Sequence, residues 1–253
     1  MRMRVSLLLV VFFVFTQGNF VFAASTNAPK GKAKVTLGEI QRWASISHKL
    51  TREYDILVND IRLGRADVNE RMRSLRAYYP YTPYYDPFSK NLLDQMTRYA
   101  YTVDTSEDRA AVNDALDKYR ELVYNNLAHL DVVSYALTLS RVDVRFGDEF
   151  FFRKVRDSIR NSWDGMIYVG TSPDDAYKVI TYAEQTYILS THGAKANEGE
   201  IFNVDKQFYD VREIVTEDDE SLQLFFDLTT PIRTVQVRQA LREKENKITI
   251  PLQ

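Results

Sequence analysis

Phe208-Tyr209-Asp210-Val211-Arg212-Glu213-Ile214-Val215 and, a few positions on, Leu222-Gln223-Leu224-Phe225-Phe226-Asp227-Leu228 are the stretches whose reading decides the fold. Both are short, rich in β-branched and aromatic residues, and bounded by turn-forming polar residues, which is how antiparallel strands read. The acidic run Glu217 to Glu220 between them reads as the solvated loop of a hairpin. Val179 to Tyr182 and Thr186 to Thr191 share this composition and are expected as further strands. A short helix from Pro173 continuing through Ala176 to Thr181 is the alternative, since proline suits a first helical turn. Arg238 to Lys247 is charged and helix-prone, and Ile248 to Leu252 is expected as an edge strand. These strands all follow Gly165.

Before Gly165 the hydrophobic period is helical. Thr36 and Glu39 have the spacing of a capping box, with Val35 placed to staple onto Ile40. Ile40, Trp43, Leu50, Tyr54, Leu57 and Ile61 then fall on one stripe up to Gly64, as one long helix or two with a break near Lys49. Asp67 with Glu70 repeats the capping pattern ahead of Val68, Met72 and Leu75. Leu92, Leu93, Met96, Tyr99 and Ala100 make a further helix, and Thr105 or Ser106 is expected to cap the one carrying Ala111, Ala115, Tyr119, Leu122 and Val123. His129 to Phe146 and then Phe151 to Ile159 continue the period, separated by Gly147 with Asp148 as a cap. The fold class is α+β: an N-terminal antiparallel helical stack followed by a small antiparallel β-sheet. Residues 36–253 form a single domain, helical over 36–161 and sheet-forming over 162–253. No fixed-period repeat recurs, so a solenoid has no support.

Met1 to Ala23 reads as an export signal, with Arg2 and Arg4 before the apolar run Val5 to Phe15 and cleavage expected after Ala23. Thr16, Gln17, Gly18 and Asn19 interrupt that run short of the roughly 20 apolar residues a spanning helix needs. A retained anchor is the alternative, because Phe20 to Ala24 extends the apolar character. The expected location is periplasmic or secreted, with no membrane span after signal removal. Residues 24–35, with Pro29 and Gly31, read as a disordered tether. There is no cysteine, which excludes disulfides, a thiolate nucleophile and cysteine-ligated metals. Losing Arg2 and Arg4 with the signal moves the balance from 33 basic against 35 acidic residues to 31 against 35. That mild acidity argues against a nucleic-acid partner.

The chain holds 16 tyrosines, and its oddest segment gathers several of them: Tyr78-Tyr79-Pro80-Tyr81-Thr82-Pro83-Tyr84-Tyr85-Asp86-Pro87-Phe88. Three prolines are expected to hold it extended. Tyr78, Tyr79, Tyr81, Tyr84 and Tyr85 are then binding candidates, with an envelope glycan or a peptide as partner. The plainer reading is that these rings fill gaps between helices. Of the three histidines, His48, His129 and His192, only His129 has an acidic neighbour of interest, Asp131. Two positions apart on a helix they point to different faces, and a cap or a satisfied histidine is the plainer reading. Ser162-Trp163-Asp164-Gly165, at the change from helices to strands, is expected as a turn that presents a hydroxyl and a carboxylate. The sequence has no HExxH, GxxxxGK, GxGxxG or GxSxG motif. No metal site and no cofactor are expected.

In order along the chain, Leu75 to Phe88, Asn125-Asn126-x-Ala128-His129, Ser162-x-Asp164-Gly165, Ala176-Tyr177-x-Val179-Ile180, Tyr187-Ile188-Leu189 with Gly193, and Phe225-Phe226-Asp227 resemble a domain-of-unknown-function family of exported bacterial proteins. The resemblance covers about Tyr54 to Leu228. Trp163 departs from the second glycine of that family's SGDG-like turn, which separates this chain from any backbone-approach role of the turn. The resemblance implies export; it brings no reaction, cofactor or catalytic residue. The expected function is a binding or interaction module of the bacterial cell envelope. The alternatives are a carboxylate-dependent hydrolase, with Asp164 and His129 as acid or base and Ser162 as helper, and a structural envelope protein.

Overall fold

The capping box at Thr36 opens the first helix of the computed structural model, which describes residues 35–164, 170–192, 195–196, 199–215 and 221–248. The Thr36 hydroxyl accepts from the Glu39 N–H at 3.2 Å, and the Glu39 carboxylate accepts from the Thr36 N–H at 2.7 Å. Helix α1 (Leu37–Arg62) runs unbroken past Lys49. It stops where Gly64 adopts φ 68°, a left-handed conformation that glycine takes without strain. The Arg65 N–H then reaches the Asp60 carbonyl at 2.8 Å and the Gly64 N–H that of Ile61 at 3.1 Å, closing the exposed helix end.

Asp67 caps α2 (Val68–Tyr78), which passes into a short 3-10 turn over Tyr79–Tyr81. Then come α3 (Lys90–Thr105), α4 (Arg109–Asn125), α5 (Leu130–Val142), a second 3-10 turn (Val144–Phe146) and α6 (Glu149–Asp164). The cap of α4 is Asp108, whose carboxylate accepts from the Ala110 N–H at 2.9 Å, and not Thr105 or Ser106. Thr105 is instead the last residue of α3, where its hydroxyl donates to the Tyr101 carbonyl. Asp148 caps α6 through the Phe150 N–H at 2.8 Å.

The second half supplies β1 (Tyr177–Lys178), α7 (Tyr182–Thr191), β2 (Lys195–Ala196), β3 (Glu200–Val204), β4 (Gln207–Val215), β5 (Ser221–Asp227) and α8 (Thr229–Ile248). β4 and β5 pair antiparallel from Val215 opposite Ser221 to Tyr209 opposite Asp227. β2 and β3 pair antiparallel along the other side of β4. β1 lies parallel to β5, so the sheet is mixed and not wholly antiparallel. The α+β architecture stands, but two expected strands do not form. Val179 to Thr181 is a connection, Tyr182 opens α7, and Thr186 to Thr191 lies in the same helix. Ala183, Glu184 and Ile188 are buried at helical spacing there, and packing overrides their β-prone neighbours. Ile248 ends α8, while the rest of the expected edge strand lies outside the described residues. So do the export signal with its cleavage point, the tether through Lys34, Gly165 and the Glu217 to Glu220 loop.

Among the described residues, two clusters of buried side chains hold the fold. One joins helices to sheet through Met72, Leu75, Ile159, Phe208 and Phe226; the other lies among the helices around Met96, Tyr119, Leu137 and Phe152. Helix α6 serves both, with Phe152 in one and Val155 and Ile159 in the other. Among the described residues, no helix is long and apolar enough to cross a membrane.

Candidate functional site

Ser162, Trp163 and Asp164 form the last turn of α6, so the expected loop turn is helical as far as Asp164, whose side chain lies outside the described residues. The Ser162 hydroxyl donates to the Ile159 carbonyl at 2.5 Å and accepts from Arg76 Nη1 at 2.9 Å. Arg76 projects from α2 into the interior and forks onto Glu184 of α7, Nε to Oε1 at 3.2 Å and Nη2 to Oε2 at 2.8 Å. Its guanidinium also lies over the Trp163 ring, 5.4 Å from the centroid. Arg76 is 6% exposed and Glu184 fully buried. Glu184 Oε2 takes a further hydrogen bond from the Ile180 N–H at 2.8 Å, which anchors the start of α7. Burial pushes the Glu184 carboxyl above its usual range, and the Arg76 charge works against that push.

Beside this pair, α2 and α6 enclose a groove of about 280 Å³. Asn69, Glu70 and Arg73 line it from α2; Ser158, Asn161 and Ser162 line it from α6. Several of these groups are already engaged within the protein. The Ser158 hydroxyl contacts Asn69 Oδ1 and the Lys154 carbonyl, and Ser162 serves Arg76. The side chains of Glu70, Arg73 and Asn161 make no hydrogen bond or ion pair among the described residues. Glu70 and Arg73 are three positions apart on one helix, which brings their Cβ atoms to about 5–6 Å.

His129 stands elsewhere, at the first position before α5, fully buried, with its ring edge-on to Tyr79 at 6.3 Å. Neither ring nitrogen has a hydrogen-bond partner among the described residues. Burial holds the imidazole below its usual range, against the pull of Asp131 and Asp86. Asp131 turns away to accept from the Ser89 hydroxyl at 2.7 Å. His129 and Ser162 thus belong to separate networks, with no hydrogen bond between them among the described residues.

The tyrosine segment is not extended throughout, because Arg238 of α8 gathers its carbonyls. Nη1 donates to the Tyr85 carbonyl at 2.8 Å, and Nη2 to those of Thr82 and, at 3.4 Å, Pro80. Five donors on one planar group can satisfy such a cradle. Tyr79 and Tyr85 are core residues, their hydroxyls donating to Asn126 Oδ1 at 2.5 Å and the Ile180 carbonyl at 2.6 Å. Tyr78, Tyr81 and Tyr84 are half-buried, and Tyr81 stacks on Trp43 with centroids 6.2 Å apart.

Sequence reasoning missed Arg76, Glu184 and Arg238, along with Glu70, Arg73 and Asn161 as a group. Two signals were present. Arg76 sits four residues after Met72, on the apolar stripe of α2, and Glu184 sits three after Thr181, the spacing of a capping box. No family model, curated protein or solved structure matches this chain, so the expected kinship with the exported family finds no support there.

Proposed function

We propose that this protein is a binding module whose site is the groove between α2 and α6. One observation carries the reading: Glu70, Arg73 and Asn161 line the groove with side chains unengaged among the described residues, while the polar groups beneath them are committed to the fold. A concave site with a few convergent polar groups is what small-ligand recognition uses. Its volume of about 280 Å³ falls just under the roughly 300–1,000 Å³ of pockets for drug-sized molecules, so the ligand is small. Both walls are helices, which hold a site more tightly than loops do. With the export signal expected at Met1 to Ala23, the module works in the cell envelope.

A thermal-shift screen of small polar compounds tests this. A compound that raises the melting temperature of the parent protein, but not of Arg73→Gln or Asn161→Ala, supports the groove. Equal shifts in all three proteins contradict it. A second reading is favoured by the half-buried Trp43–Tyr81 stack, a face on which a glycan or peptide could lie. In that case Tyr81→Ala removes the shift and Arg73→Gln does not.

A further inference from the structure

We infer that the α2–α6 groove takes a free α-amino acid, its carboxylate on Arg73 and its ammonium on Glu70; this rests on the groove being the binding site. Two opposite charges face the same small space from one helix, and no ion pair joins them. A neutral ligand such as a sugar can hydrogen-bond to both groups but neutralises neither charge. A simple anion would meet Arg73 but be repelled by Glu70, and a simple cation the reverse. A ligand with both charges on one small frame satisfies both, and an α-amino acid carries them on a single carbon.

The hydrogen-bonding capacities agree. A guanidinium binds a carboxylate through two parallel N–H···O bonds, and a carboxylate accepts from an ammonium that has three donors. Asn161 brings an amide with donors and an acceptor to the opposite wall, suited to a ligand side chain with polar ends. The Asn69 amide nitrogen keeps its donors, since its Oδ1 is the atom that meets the Ser158 hydroxyl. Glu70 and Arg73 are exposed, so association weakens as salt screens their charges.

Isothermal titration of the full chain at low salt tests the inference. The probes are L-glutamine and L-alanine, N-acetyl-L-glutamine, which lacks the ammonium, L-glutaminamide, which lacks the carboxylate, and glucose. The expected result is binding of the free amino acids, with each blocked analogue and glucose at least tenfold weaker. Glu70→Gln should narrow the gap for N-acetyl-L-glutamine, and Arg73→Gln the gap for L-glutaminamide. Circular dichroism of both variants confirms that these surface changes leave the fold intact. Glucose binding that is lost in Arg73→Gln would overturn the amino-acid assignment and leave the groove as the site. No binding of any probe would overturn the amino-acid assignment and leave the groove to the thermal-shift screen, while amino-acid binding unchanged in both variants would overturn the assignment and the groove together.

Discussion

Arg76 and Glu184 are 108 positions apart in the chain and 2.8 Å apart in the interior, where their pair fastens α2 of the helical half to α7 beside the sheet. Removing one partner of a buried pair leaves the other charge uncompensated, at about 3–5 kcal/mol. Arg76→Met should therefore lower the unfolding free energy by about that amount in urea denaturation. Arg76→Met with Glu184→Met should recover most of it, because no buried charge is then left alone. Additive losses in the double variant would show that the two side chains act independently.

Acidification should destabilise the protein through His129. Its folded-state pKa lies below the ordinary 6.5, so the unfolded chain takes up a proton first as the pH falls. Stability is full above about pH 6.5 and is lost on descent from there toward the folded-state value, with a slope of at most ~1.4 kcal/mol per pH unit. His129→Leu removes this term, so its urea midpoint should fall less between pH 7.5 and pH 5.5 than the parent's. Glu184, pushed up by burial, acts in the opposite sense: its contribution is full below 4.5 and fades as the pH rises through its raised value. The parent and the variant share that term, so it drops out of the comparison. Identical pH profiles for the two proteins would exclude His129 as the source.

Arg238→Lys should be destabilising although the charge is kept. The ammonium has three donors on one atom and cannot reach the separated carbonyls of Pro80, Thr82 and Tyr85 as a guanidinium does. It also loses the stacking of the guanidinium over Trp43 and Tyr85. A loss of about 1.5–3 kcal/mol is expected in chemical denaturation, the range of a hydrogen bond to a charged group. Faster proteolysis between Pro80 and Tyr85 should accompany it, because the cradle is what holds that stretch against α8. A lysine variant as stable and as resistant as the parent would rule the cradle out as a stabilising contact.

Where the chain shows its plan locally, the sequence is readable. Thr36 with Glu39, Gly64, Asp67 and Asp148 mark helix ends because capping involves residues two to five positions apart. The β4–β5 hairpin is legible for the same reason, its strands being neighbours in sequence. Helix α7 escapes a reading of the sequence because Thr186 to Thr191 has strand composition, while the partner of Glu184 in its first turn, Arg76, is 108 positions away. The tyrosine segment bends toward an arginine more than 150 positions away. The groove is illegible by the same logic, since Asn69 and Ser158 on its two walls are 89 positions apart.

The claim that the α2–α6 groove is where this protein binds is tested most directly by nitrogen-resolved NMR of side-chain N–H groups during titration with L-glutamine and, separately, glucose. The side-chain amide signals of Asn69 and Asn161 and the Arg73 Nε signal should move together and saturate with one of these ligands, while the Trp43 indole signal stays in place. Movement of the Trp43 indole with the groove signals unchanged, or groove signals unmoved by either ligand, would contradict it.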